Sequence, residues 1–169
     1  MPDVRDSFRD VAPNYSKSTF HSSSTRLQEV VDLAQPKRGD LVLDVATGTG
    51  NTAFALAPHV RRVIGLDLTR EMLAEARKVA AERQILNVDW VIGDAERLPF
   101  QDDTFDIYSV RAAPHHFANV DAFIAESFRV LKPDRDGIFI DCAPPLPAST
   151  SNPACSSLVT HSSTVSDRT

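Results

Sequence analysis

The chain has 169 residues, of which 42% are hydrophobic, and a formal net charge of −5 at pH 7. This size predicts one domain with a single sizeable core, and an acidic balance without a long basic run argues against nucleic-acid binding by phosphate neutralisation. No apolar run approaches the ~20 residues of a membrane span, and the polar N-terminus is not a secretory signal. The presence of only two cysteines favours a reducing cytoplasm. No Cys/His cluster has metal-ligand spacing, so no metal is expected.

Helices and buried strands are predicted to alternate along residues 26–142, after a short amphipathic segment at residues 1–25. Apolar residues three and four apart indicate helices, and short apolar runs indicate strands. In chain order the elements are a helix from Leu27 to Gln35, a strand at 41–45, a helix near 50–58, a strand at 63–66, a helix from Thr69 to Ala80, strands at 88–92 and 105–110, a helix near 119–131 and a strand at 138–141. This order predicts an α/β fold: a Rossmann-like, doubly wound parallel sheet in three α/β/α layers.

The C-terminal segment, residues 143–169, breaks this pattern. Ser, Thr and Pro make up 15 of its 27 residues, and large apolar residues are few. Such a composition buries too little surface to offset the entropy of ordering the chain. We therefore expect a disordered tail.

Acidic residues end successive predicted strands. Asp44 closes the apolar run of the first strand, Asp67 ends the second, and Asp94 follows the third. Ligands of a doubly wound sheet bind beyond the carboxyl ends of its strands, where the strand order reverses. We expect these three carboxylates to meet in one crevice with the end of the fourth strand, residues 109–111.

The turn after the first strand contains Gly48 and Gly50, which let the backbone approach a ligand closely. Backbone amides at the start of the next helix offer donors to a carboxylate or phosphate. Asp67 lies 17 positions after Gly50, close to the spacing of a ribose-binding acid. Asp94 can accept a hydrogen bond from an adenine amino group, and an apolar wall against the base is expected from Leu68 and Met72.

Two cofactors compete for this site. The residues from Gly48 to Ala53 fit the G-x-G-x-x-G/A dinucleotide pattern, which alone is a weak signal. Asp44 argues against a pyrophosphate, because an acid beside the turn would repel it. S-adenosylmethionine carries a sulfonium, an ammonium group and no phosphate, so a crevice rich in carboxylates favours it electrostatically.

Taken together, these motifs resemble the class I S-adenosylmethionine-dependent methyltransferases, and within them the ubiquinone/menaquinone-biosynthesis-like small-molecule group. Four stretches between residues 41 and 142 carry the resemblance: Leu43-Asp-Val-Ala-Thr-Gly-Thr-Gly50, Gly65-Leu-Asp-Leu-Thr-Arg-Glu-Met-Leu73, Gly93-Asp-Ala-Glu-Arg-Leu-Pro-Phe100 with Phe105-Asp106, and Arg129-Val-Leu-Lys-Pro133. Phe8 to Tyr15 also resembles the group's N-terminal segment, which implies a lid over the cofactor.

The resemblance implies roles for individual residues. Thr47, Gly48 and Gly50 would cradle the methionine part of the cofactor. Asp44 would lie near its ammonium group through water, and Arg111 would line the methyl-transfer side. The full set of expected cofactor-binding residues is Asp44, Ala46, Thr47, Gly48, Gly50, Asp67, Leu68, Met72, Asp94, Ala95 and Arg111.

The implied activity is methyl transfer to a small-molecule acceptor by in-line displacement at the sulfonium methyl. A second copy of the chain, forming a dimer, is among the expected partners. No catalytic residue is assigned, because a general base is optional; candidates for one are His115, His116 and Tyr15. The alternative is a module that binds the cofactor but is inactive or is completed by a partner. A nicotinamide-dependent oxidoreductase is a third reading, for which no second catalytic domain is apparent.

The sequence departs from the family at its C-terminal end. The family sheet ends in an antiparallel hairpin after the fifth strand, and no strand is predicted here after Asp141. A truncated domain of this kind would leave the fifth strand as an exposed edge and the acceptor pocket incomplete. We interpret residues 143–169 as unrelated to the family's continuation, for example through a frameshift, an alternative exon or a truncated gene model.

Overall fold

The computed structural model describes residues 24–111, 113, 117–133, 135–141 and 156–161. The elements in chain order are α1 Ser24–Ala34, β1 Leu41–Val45, α2 Asn51–Leu56 followed by a 3₁₀ turn at Ala57–His59, β2 Arg62–Asp67, α3 Arg70–Glu82, β3 Val88–Ile92, β4 Ile107–Arg111, α4 Val120–Val130, β5 Asp136–Asp141 and β6 Ser156–His161.

These strands form one sheet in the order β3-β2-β1-β4-β5-β6. The pairs among the first five are parallel, and the order reverses between β1 and β4. In register, Asp44 of β1 lies opposite Gly65 of β2 on one side and Ser109 of β4 on the other. The prediction of a doubly wound, Rossmann-like sheet is confirmed, and the carboxyl ends of β1, β2 and β4 meet at its switch point.

The core forms on both faces of β1 because side chains of a strand alternate in direction. On one face, Val42 packs in a buried cluster with residues of α1, α2 and β2. On the other, Leu43 and Val45 pack in a second cluster that includes Phe123 and Val130 of α4. Burial on both faces explains the nearly continuous apolar sequence of this strand.

Residues 156–161 correct the expectation of a strandless tail. They form β6, which pairs antiparallel with β5 from Asp136 opposite His161 to Asp141 opposite Ser156. β5 is therefore not an exposed edge. The composition argument failed because it averages polarity over 27 residues, whereas a short strand on a sheet edge gains backbone hydrogen bonds that composition does not report.

Some predictions lie outside the described residues. These are the lid-like segment at 1–23 and the remaining tail, 142–155 and 162–169. The division into 1–25, 26–142 and 143–169 stays a prediction. Within the part of the chain that the structure describes, no helix is long and apolar enough to cross a membrane.

Two elements have boundaries that differ from the predicted ones for reasons of local geometry. The helix after β1 ends at Leu56, and its last turn tightens into the 3₁₀ segment. The fourth strand begins at Ile107, because Phe105 forms only an isolated bridge with Leu131.

Candidate functional site

The turn between β1 and α2 adopts left-handed backbone conformations at three positions. Ala46 has φ 51°, Gly48 has φ 55° and Gly50 has φ 88°. Two hydrogen bonds fix the turn, from the Thr47 N–H to the Leu66 carbonyl at 3.0 Å and from the Gly50 N–H to the Thr47 carbonyl at 2.9 Å. A Cβ added to Gly48 would meet no atom within 4 Å, so this part of the loop faces open space.

The other side of the turn is closely packed against Trp90 of β3. A Cβ on Gly50 would lie 2.6 Å from the Trp90 Cη2 atom, and one on Gly65 would lie 2.7 Å from the same ring. Phe54 meets the indole edge-on, with ring centroids 5.7 Å apart. Both glycines are thus required by close approach, and Trp90 supports the loop from behind.

Asp44 is a buried carboxylate with two hydroxyl donors. Thr47 Oγ1 donates to its Oδ2 at 2.6 Å, and Ser109 Oγ donates to its Oδ1 at 2.8 Å. Burial raises the pKa of Asp44 from its ordinary 3.8 to about 6, although these hydroxyls and the Arg111 charge oppose the rise. A carboxylate with 1% exposure is ionised at neutral pH only because these groups stabilise it.

Asp67, at the end of β2, joins two loops. Its Oδ2 accepts a hydrogen bond from the Gly48 N–H at 2.8 Å, and its Oδ1 accepts one from the Thr69 N–H at 2.9 Å. Burial raises the pKa of this carboxyl, and both backbone donors act in the opposite direction. Thr69 is the N-cap of α3, and its side chain makes no capping hydrogen bond. Its own N–H is satisfied by the Asp67 carboxylate.

Arg111, at the end of β4, contributes a cation on the α2 side of the crevice. Its Nε donates to Thr52 Oγ1 at 3.1 Å, and its charge lowers the pKa of Asp44. Thr52 is a contact that the sequence patterns did not single out. The positive charge of Arg111 near the buried carboxylate of Asp44 makes the electrostatic potential of the site less negative without neutralising it.

The turn after β3 brings Asp94 and Ala95 to the same edge of the sheet. The Gly93 N–H donates to the Asp67 carbonyl at 3.1 Å, which ties this turn to the end of β2. Asp94 is exposed, and its Oδ1 accepts the Glu96 N–H at 2.9 Å. Ala95 is buried in the core.

The structure therefore links Asp44, Thr47, Gly48 and Asp67 through direct hydrogen bonds, with Arg111 beside them. Met72 is buried and Leu68 half-buried at the start of α3, and their expected role as an apolar wall stays a prediction. Trp90 was not predicted from the sequence, although a glycine inside a buried strand is a signal of close packing.

Three candidates for a base, His115, His116 and Tyr15, lie outside the described residues. Among the described residues no group of three or more potential ligands is placed to hold a metal ion.

Comparison with known proteins assigns the family. Residues 42–134 match the family model described as a methyltransferase domain. The chain belongs to this family. Membership implies S-adenosyl-L-methionine as the cofactor, in agreement with the acidic strand ends.

Three relatives show how far the likeness extends. The chain is 37% identical over 134 residues to the uncharacterized methyltransferase YcgJ of Bacillus subtilis, covering 79% of this chain and 53% of that protein. The crystal structure of YcgJ aligns with a TM-score of 0.67 and 40% identity over 69% of this chain and 50% of that one. The ubiquinone/menaquinone biosynthesis C-methyltransferase UbiE of Ruegeria sp. is 41% identical over 108 residues, or 62% of this chain and 43% of that protein.

A third relative, a putative methyltransferase of Haloferax volcanii solved in complex with the Trm112 methyltransferase activator, aligns with a TM-score of 0.70 and 27% identity over 82% of this chain and 62% of that one. The chain spans about half the length of the curated relatives it matches.

The residues present fit S-adenosyl-L-methionine on their own chemistry. The negative charge of buried Asp44 favours a cation, and Asp67 offers a carboxylate to hydroxyl groups, whereas a pyrophosphate would be repelled by these charges. The open face at Gly48 leaves room for a ligand that contacts backbone.

Proposed function

We propose that this chain binds S-adenosyl-L-methionine at the carboxyl ends of β1, β2 and β3 and transfers its methyl group to a small-molecule acceptor. The observation that carries the proposal is the carboxylate of Asp67, which holds the Gly48 N–H at 2.8 Å. This hydrogen bond joins the acid at the end of β2 to the glycine turn, which supports a role for Asp67 in accepting ribose hydroxyls. When bound, the cofactor supplies a methyl group already activated by its sulfonium.

Asp67 is the acceptor for the ribose hydroxyls in this proposal. A carboxylate has about four lone-pair sites. The Gly48 and Thr69 amides each donate to this carboxylate, and the Thr69 hydroxyl and the Leu68 amide also lower its pKa by hydrogen bonding. In the proposal, ribose hydroxyls donate to the same carboxylate when the cofactor binds. Because the same carboxylate holds both loops, the ribose acceptor is oriented before any ligand arrives.

The methionine part belongs against the turn of β1. Ala46, Thr47, Gly48 and Gly50 form that turn, in which Ala46, Gly48 and Gly50 have left-handed backbone conformations. Asp44 acts through its charge and not by direct contact, since both its oxygens are engaged by hydroxyls and its exposure is 1%. Its charge favours the ammonium and sulfonium groups, and Arg111 lines the methyl-transfer side.

The adenine belongs at the turn after β3. Asp94 is exposed and offers a carboxylate oxygen to the amino group, and the Ala95 backbone lies next to it. Leu68 and Met72 supply apolar surface on the neighbouring turn. These roles follow from position at one sheet edge, where β2 and β3 end side by side.

The chain's own contribution to transfer is to align an acceptor and to exclude water. No general base is assigned. The likeness to a protein named ubiquinone/menaquinone biosynthesis C-methyltransferase supports a small acceptor, since that relative's name describes such chemistry.

Calorimetric titration tests the binding step. The chain is titrated with S-adenosyl-L-methionine, with S-adenosyl-L-homocysteine and with NAD. Binding of the first two in preference to NAD is expected. Preference for NAD would overturn the proposal in favour of a dinucleotide site. A panel of small phenolic, quinone and amine acceptors with labelled methyl donor then tests transfer.

A second candidate is a cofactor-binding module that is inactive alone or is completed by a partner. It is favoured by the length of the chain, about half that of the curated relatives, and by the Haloferax volcanii relative, which was solved with an activator protein. Binding without transfer across the whole panel would favour this candidate.

A further inference from the structure

Helix α4 holds the loop that follows β3 at two widely separated points. Near the C-terminal end of the helix, Arg129 donates from Nη1 to the Phe100 carbonyl at 2.8 Å and from Nη2 to the Leu98 carbonyl at 3.1 Å. Its Nη1 also donates to Asp102 Oδ1 at 2.8 Å. One guanidinium thus fixes three successive points of the loop, a task suited to its planar set of donors.

Glu126 completes the arrangement one helical turn earlier. Its Oε1 accepts from Arg129 Nε at 2.6 Å, and its Oε2 accepts both from Arg129 Nη2 at 2.7 Å and from the Leu98 N–H at 2.7 Å. The Arg129 hydrogen bonds hold the pKa of Glu126 below its usual range. Leu98 therefore has its N–H and its carbonyl bound by the two members of a single ion pair.

The first turn of α4 binds the other end of the same loop. Glu96 Oε1 accepts from the Asn119 N–H at 3.0 Å. Asn119 is also the N-cap of the helix, because its Oδ1 accepts from the Ala122 N–H at 3.0 Å. Asp94, Glu96, Asn119 and Ala122 line one groove between the loop and the helix.

We infer that Glu126 and Arg129 are positioning residues that hold residues 94–102 so that Asp94 selects the adenine amino group. The inference rests on the proposed function. It deepens that function by naming the part of the fold that sets base specificity, which lies on α4 and away from the crevice formed by β1 and β2. The two residues touch no ligand and act through the loop.

The test separates base selection from general stability. Arg129→Lys keeps the positive charge but loses the planar guanidinium that can bind several acceptors at once. Glu126→Gln keeps the size of the side chain but loses its negative charge. The control is Arg77→Lys, because Arg77 makes a single bond of 3.3 Å to the Trp90 carbonyl away from this loop. Affinities are measured for S-adenosyl-L-methionine and for S-inosyl-L-methionine, in which an oxygen replaces the amino group. Hydrogen exchange of amides 96–102 is measured without ligand.

Wild type and Arg77→Lys are expected to prefer the adenine base by about tenfold, the effect of one charge-assisted hydrogen bond. Arg129→Lys and Glu126→Gln should each lose most of this preference for the adenine base. In both variants, amides 96–102 should exchange at least about tenfold faster. An unchanged ratio, with both affinities lowered equally, would overturn the inference. If Arg129→Lys does not fold, Glu126→Gln decides alone.

Failure of the wild type to bind S-adenosyl-L-methionine overturns the proposed function, and the assignment of base selection falls with it. Unchanged amide exchange in a variant that binds normally overturns only the positioning role. The two failures are therefore distinguishable.

Discussion

The Gly48 N–H and the Asp67 carboxylate meet at 2.8 Å where β1 and β2 end side by side. This hydrogen bond makes the conformation of the glycine turn and the orientation of Asp67, the proposed ribose acceptor, mutually dependent. A change at Asp67 therefore affects two parts of the proposed cofactor site at once.

Asp67→Asn is expected to weaken binding of S-adenosyl-L-methionine by about 10- to 100-fold. The amide has one acceptor oxygen in place of two, and charge-assisted hydrogen bonds of ~1.5–3 kcal/mol are lost. Calorimetry measures the affinity. Asp89→Asn is the matched control, because Asp89 is half exposed and pairs with Arg62 at the sheet edge. Equal affinity in the two variants would contradict the assigned role.

Asp44 should make the stability of the chain depend on pH with an unusual sign. Burial raises its pKa to about 6 in the native state, above its ordinary 3.8. The native state thus binds this proton more tightly than the unfolded state. The stabilisation is fully present below pH 3.8 and is lost as the pH rises through 6, a change of about 3 kcal/mol.

Asp44→Asn should therefore flatten this part of the pH profile and raise the unfolding free energy near pH 7.5, while lowering cofactor affinity about tenfold. Urea unfolding at several pH values measures the first effect and calorimetry the second. Asp106→Asn is the contrasting variant. The pKa of Asp106 is lowered by its hydrogen bonds from the Leu41 N–H and Lys132, so its stabilisation is present above its ordinary pKa and lost in acid. Parallel profiles for the two variants would count against the sign given to Asp44.

Gly50→Ala is expected to destabilise the fold by about 2–5 kcal/mol. A left-handed conformation costs a residue with a Cβ ~1–2 kcal/mol, and displacing the Trp90 ring adds ~1–3 kcal/mol. Thermal unfolding measures the loss. Gly39→Ala is the control, since a Cβ there meets no atom within 4 Å and its φ is not positive. A similar loss in both variants would show that the packing against Trp90 is not the cause.

Deletion of residues 156–169 should promote aggregation. Without β6, β5 presents an unpaired edge along Asp136–Asp141. Light scattering at increasing concentration measures the effect. A chain that ends at residue 161 keeps the strand and serves as the control. If both shortened chains remain equally monodisperse, β6 does not protect that edge.

The doubly wound parallel sheet could be predicted because it follows from local patterns. The alternation of apolar runs and helical spacing fixes the parallel topology, and the topology then places Asp44 and Asp67 at one edge. Residue type alone was enough to propose that these carboxylates share a crevice. The helical spacing also located α4 to within one residue at each end.

Contacts between distant segments could not be predicted in the same way. Trp90 reaches Gly50 across 40 positions of sequence, and Arg129 reaches Leu98 across 31 positions. Neither contact leaves a periodic signal. The strand at 156–161 escaped notice for a related reason, because its partner edge is formed by another part of the chain.

Trp90 is the only tryptophan of the sequence, and its indole lies directly behind Gly50 and Gly65. Indole emission responds to neighbouring groups and to local polarity, so the chain carries an intrinsic optical reporter beneath its glycine turn. Ligands and acceptors can be screened by fluorescence on unlabelled protein, with the signal arising from one known place in the fold.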